Sequence, residues 1–357
     1  MTKKPVNHNA KARSSDKNTR TKSYMPFIDI MRLIACAAVI VIHVTATPVV
    51  TLVHGSYQQL FFIIINRLAK PSVPLFIFIS GYLAFPFWQG SLKTFYHKKA
   101  LRLLLPYIVW TLIYQLLFVA IGVYPLSLRF FFEHLIKGDM MYHLYFMLIL
   151  IQLTLLTPVW RFIERRLSIR WLVLFAAFVQ LGSMGLHLPF QDRLWSTYIL
   201  YYVLGMTLSA YPQKTNRVLA TSMTLALGAL YCYQFYQSIN YNISVSQISA
   251  SLLYITFSAA SCYAVFHLSQ HLGSSLKQDH HVPLKKWGNT TEWLYYAHPL
   301  GILAGTYTMR HLPFQSIIFE SILATFFIVL IIVPFAYYGP WLTKSLKATF
   351  INLLQKD

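Results

Sequence analysis

Stretches of roughly 20 apolar residues recur ten times along the chain, and this repetition limits the fold more than any other feature. A helix rises about 1.5 Å per residue, so about 20 residues cross the ~30 Å hydrocarbon core of a bilayer. The runs fall near 27–47, 60–86, 103–122, 142–160, 170–187, 193–211, 217–237, 247–270, 290–308 and 315–339. Backbone polar groups in lipid must be satisfied within the protein, which for runs of this length means helices. The expected fold is therefore all-α, a polytopic membrane protein with about ten transmembrane helices. The second run contains Asn66, Arg67, Lys70, Pro71 and Pro74, which predicts a broken or tilted first half. The mixed polarity of 124–140 predicts a segment lying along the outer surface.

Composition agrees. Only 11% of the 357 residues are charged and 56% are hydrophobic, against about 25% charged in a soluble protein. A soluble globule is excluded, as is disorder except at the ends. The 30 Lys and Arg against 10 Asp and Glu would suit a nucleic-acid binder. These charges instead sit in short clusters between apolar runs, so the expected environment is the lipid bilayer and no nucleic acid is expected. With ten crossings and an internal N-terminus, 23 of the 30 basic residues fall in cytoplasmic segments and four in outer ones. That asymmetry predicts both termini in the cytoplasm of a multi-pass cell-membrane protein.

Residues 1–24 carry seven basic residues and no apolar core. They read as a disordered cytoplasmic tail rather than a signal peptide. Residues 25–342 form one transmembrane domain and 343–357 a cytoplasmic C-terminal tail. Cys36, Cys232 and Cys262 all lie inside apolar runs. They form no paired motif, so neither a disulfide framework nor a metal site is expected.

Ionisable groups within spans are functional candidates, because burying them unpaired costs several kcal/mol. The first span carries Asp29, Arg32 and His43. Asp29 and Arg32 are spaced to pair on one helix face. His43 lies three turns further along the same face, roughly 16 Å away. A pair that merely fixes helix packing, with a histidine bonded to a nearby carbonyl, is the competing explanation. Ser80-Gly81 ends the second span and allows another backbone to approach closely. Lys99 and Arg102 stand at the cytoplasmic mouth of the third span, where they also suit ordinary topogenic charge. His143 and Tyr145 open the fourth span at the outer boundary. Glu292 and His298 flank Tyr295 and Tyr296 in the ninth, and Pro299 follows His298. A histidine capping the break at that proline is the structural alternative.

These motifs, in order over residues 25–340, resemble the acyltransferase-3 family of integral-membrane acyltransferases. Arg32 and His43 match the basic residue and histidine of its first span, with Asp29 in its usual place. PLFIFISGYLAF, Lys99-x-x-Arg102 with Pro106, MYHLYFML, YYVLGMTL and LYYAHPL follow its later elements. Lys99 replaces a commoner arginine. Glu292 stands where an aromatic residue is usual, which signals either a distinct substrate preference or another role. Within the family the likeness is to the stand-alone O-acetyltransferase and polysaccharide-intercellular-adhesion subgroup.

The resemblance implies transfer of an acyl group, usually acetyl, from cytoplasmic acyl-CoA to a hydroxyl of an extracytoplasmic glycan or glycopolymer. Acyl-CoA would be a co-substrate, with no permanently bound cofactor. His43, Arg32 and Asp29 are then the expected catalytic residues, with His43 as base or transient acyl carrier. Lys99, Arg102, Ser80, Tyr145, Glu292 and His298 are the expected substrate-binding residues. A polysaccharide exporter or flippase lined by the same polar groups is the alternative. No nucleotide-binding motif is present to drive export.

Overall fold

A computed structural model describes residues 24–84, 91–164, 166, 168–186, 189–211 and 216–340. The expected tails, 1–24 apart from Tyr24 and 343–357, lie outside these residues. Among the described residues each of the ten apolar runs contains helix, and no strand occurs. The protein is an all-α, polytopic membrane protein.

The first run forms α1 (Pro26–Val44) and, past Thr45, α2 (Ala46–Thr51). Pro26 occupies the first helical position of α1, where its missing N–H costs nothing. The second run is broken, as its prolines predict, into α3 (Tyr57–Ala69) and α4 (Ser72–Ala84). Pro71 has no N–H for the Arg67 carbonyl, which accepts from the Lys70 N–H instead at 3.2 Å. The third run comprises α5 (Leu92–Lys99), a widened π-type turn at Ala100–Leu104, and α6 (Leu105–Ala120). Then comes α7 (Leu128–Lys137), whose Leu128, Phe132 and Ile136 form an exposed apolar stripe while Phe131 is buried. Such a short amphipathic helix suits the membrane surface expected for 124–140.

The fourth to sixth runs give α8 (Tyr145–Leu155) with α9 (Thr157–Glu164), α10 (Ile169–Gly185), and α11 (Ile199–Ala210). The remaining helices are α12 (Arg217–Tyr241), α13 (Gln247–Ser275), α14 (His281–Arg310) and α15 (Ile317–Phe327). Among the described residues, six helical stretches are long and apolar enough to cross a membrane unaided, while α8, α10 and α11 are shorter apolar helices. At 30 residues, α14 is the longest helix among the described residues, and it carries the polar groups of the ninth run.

The centre of the bundle is built on α4 and α11. Ten of the 12 residues of α11 are buried, so this helix is apolar all round because it faces protein on every side. Gly81 and Gly205 let the two backbones meet. A Cβ on Gly81 would lie 2.0 Å from the Tyr202 carbonyl oxygen, and one on Gly205 would lie 2.0 Å from that of Phe78. The close approach expected at Ser80-Gly81 is thus made by α11. Against this core pack α1 and α13, and α1 touches all of α3, α4, α13 and α14. The polar face of α1 is therefore enclosed.

Candidate active site

Positions 29, 32, 36, 39 and 43 alternate by three and four residues, so their side chains form one stripe along α1. Near one end, Arg32 Nη1 donates to Asp29 Oδ1 at 2.9 Å. Asp29 is only 5% exposed. It fits because α14 presents Gly288 to it: a Cβ there would lie 2.3 Å from the Asp29 carboxyl carbon. Midway, the buried Cys36 thiol faces the Thr291 carbonyl at 3.8 Å.

Arg32 opens into a cavity of about 140 Å³ shared with Arg102, Asn289 and Glu292. Glu292 lies within electrostatic range of both arginines. Arg102 belongs to the widened turn after α5, a distortion that often marks functional positions. Lys99 does not line this cavity; its ammonium lies 5.8 Å from the centre of the Phe95 ring. Lys99 ends α5 just before the widened turn that carries Arg102, and of the two only Arg102 reaches the cavity.

At the other end, His43 lines a cavity of about 330 Å³ with Tyr145, His143, Arg67 and Lys70. His43 has no hydrogen-bond partner among the described residues. Its ring stacks on His298, with centroids 5.4 Å apart at 28°, and leans on Tyr142 at 4.4 Å. His143 packs against His298 at 5.1 Å and Tyr295 at 5.2 Å.

Pro299 explains the setting of His298. Lacking an N–H, it leaves the Tyr295 carbonyl without its helical donor, and His298 Nδ1 meets that carbonyl at 2.7 Å. A carbonyl only accepts, so the proton sits on Nδ1 and Nε2 carries a lone pair. That Nε2 is buried without a partner, and neither ring nitrogen of His143 makes a hydrogen bond of normal geometry. The same histidine thus caps the break and presents a fixed tautomer to the cluster. Tyr295 also ties α14 to the turn before α8, its hydroxyl donating to the His143 carbonyl. Three histidines converge here, yet no group of three or more His, Cys, Asp or Glu among the described residues is arranged to hold a metal ion.

The two cavities share Phe146 and Tyr295. With Phe76 these rings form an aromatic cluster, centroids 5.4–6.4 Å apart. One stripe of α1 therefore leads from a cavity with two arginines, past an aromatic constriction, to a cavity with three histidines beside it. Of the expected residues, Arg32, Arg102 and Glu292 meet in the first, and His43 and Tyr145 in the second, with His298 stacked behind His43. Ser80 lines neither cavity. His143, Arg67 and Lys70 were not expected as site residues. His143 reads as an interfacial residue in sequence, and Arg67 and Lys70 as helix-breaking charge.

The chain has no match among curated proteins or solved structures. A family profile described as an acyltransferase domain does match, over residues 25–341, which is most of the chain and takes in every residue of both cavities. The protein belongs to the acyltransferase-3 family and is a membrane acyltransferase.

Proposed function

We propose that the protein carries an acyl group, most simply acetyl, from cytoplasmic acyl-CoA to a hydroxyl of an extracytoplasmic glycan or cell-envelope polymer, in the cell membrane. The observation that carries this reading is the pair of cavities meeting on one face of α1. Arg32 and Arg102 suit the phosphates of CoA, since guanidinium groups bind phosphate with paired charge-assisted hydrogen bonds. Asp29 fixes the Arg32 rotamer. Glu292, within electrostatic range of both arginines, would offset their charge in the empty site and orient the donor's polar groups.

The acyl-pantetheine arm would pass Phe76, Phe146 and Tyr295 to bring its thioester carbonyl to His43. The neutral His43 ring takes the proton of the acceptor hydroxyl as the oxygen attacks that carbonyl. Collapse of the tetrahedral adduct breaks the C–S bond, and the proton on His43 passes to the departing CoA thiolate. Stacking on His298 orients the His43 ring, and Tyr145, which lines the same cavity, would hold the acceptor.

The test is transfer in proteoliposomes loaded with acetyl-CoA, with glycan acceptors outside. Acylated product outside that depends on acyl-CoA inside is the expected result. Passage of unmodified glycan without any acyl-CoA would replace this reading with a transporter.

A further inference from the structure

The His43 cavity holds two cations that acyl transfer from CoA does not use. Arg67 and Lys70 lie one turn apart where α3 ends, and both line the cavity among Tyr145, Tyr198, Tyr231 and Tyr254. The Arg67 guanidinium rests on the Phe235 ring, 3.5 Å from its centre. Arg67 Nε is buried without a hydrogen-bond partner. Lys70 lies within electrostatic range of His43. Among the described residues the carboxylates in ion pairs are Asp29, Glu133, Asp139 and Asp192, and none of them pairs with Arg67 or Lys70.

Two neighbouring cations within a span, facing one cavity without a counter-charge, are costly in the empty protein. A guanidinium, an ammonium and phenolic hydroxyls together are a donor set for a carboxylate or phosphate. We propose that Arg67 and Lys70 form an anion subsite of the His43 cavity, which takes a carboxylate or phosphate carried by one of the two reacting molecules. That the ligand is a reacting molecule rests on the acyl-transfer reading; the anion subsite itself does not. The anion sits either on the glycan acceptor or at the far end of the acyl chain, and both sources need the same two cations.

Binding to the protein in nanodiscs, saturated with CoA to fill the Arg32 cavity, tests this without turnover. Two matched probe pairs are titrated by calorimetry: glucose phosphate against glucose, and glutarate against pentanediol. In at least one pair the charged member should bind tenfold or more tightly, and that pair identifies the source of the anion. Arg67→Gln and Lys70→Gln should each remove the discrimination, and Arg67→Lys should retain most of it. Equal binding within both pairs by the wild-type protein overturns the proposal, even if the glutamine variants do not fold. So does undiminished discrimination in glutamine variants that melt normally. Acyl transfer is scored separately, so its failure would leave the result interpretable.

Discussion

Replacing Gly288 by alanine places one methyl group against the Asp29–Arg32 pair, and the structure fixes what must follow. The new Cβ would lie 2.3 Å from Asp29 Oδ1 and 2.6 Å from its Cβ, where ordinary contact needs about 3.5–4.0 Å. The carboxylate must retreat by about 1.2 Å or α14 must move off α1. The first shift disturbs the 2.9 Å contact with Arg32, and the second displaces Asn289 and Glu292, which line the same cavity. Overpacking a fitted site costs about 1–3 kcal/mol in stability. Losing a charge-assisted hydrogen bond is worth about 1.5–3 kcal/mol. With either Arg32 or the α14 wall of its cavity displaced, KM for acyl-CoA should rise roughly ten- to hundred-fold. KM for the acceptor should hardly change. Initial rates in proteoliposomes measure both, with melting in detergent alongside. Gly182→Ala is the control, because nothing lies within 4 Å of its Cβ position. In an Asp29→Ala background the Gly288→Ala change should add little, since the clash partner is gone. Unchanged KM for acyl-CoA in a normally melting Gly288→Ala protein would refute the claim that Asp29 positions Arg32 for the donor.

Other outcomes follow from the same geometry. Gly205→Ala drives a methyl into the Phe78 carbonyl, and backbone has no rotamer with which to yield, so melting should fall sharply and more than for Gly182→Ala; equal melting of the two variants would contradict the α4–α11 contact. Arg102→Gln should raise KM for acyl-CoA roughly ten-fold or more, while Lys99→Gln, whose side chain lies outside the cavity, should change it less; the reverse order in kinetic assays would reassign the two cations. Reporter fusions after residues 212 and 357 should both report the cytoplasm, and an external signal at either would overturn the predicted topology.

The helices were legible in the sequence because each apolar run is long enough to be read alone. The break in the second run was legible too, since Lys70-Pro71 removes a backbone donor at a known position. Gly81 signalled a close backbone approach, although its partner Gly205 could be named only once α11 was seen against α4. The polar stripe of α1 was readable from spacing within one helix. What escaped depends on contacts between helices far apart in sequence. His143 sits at the start of a span, where a polar residue needs no explanation, and only its contacts with Tyr295 and His298 of α14 bring it into the cluster. Arg67 and Lys70 read as helix-breaking charge until α12 and α13 close the cavity around them. Lys99 and Arg102 read alike as basic residues at the mouth of the third span, and only the cavity lining shows that of the two it is Arg102 that reaches it.

The central claim is that His43 removes the acceptor's proton at the end of a path that begins at Arg32. Its most direct test is acyl transfer by His43→Ala in proteoliposomes supplied with saturating acyl-CoA, with CoA binding and melting measured on the same preparation. The account predicts a fall in rate of roughly 10²–10⁴-fold, with CoA affinity and melting close to wild type. Near-normal turnover by a folded His43→Ala protein would contradict it.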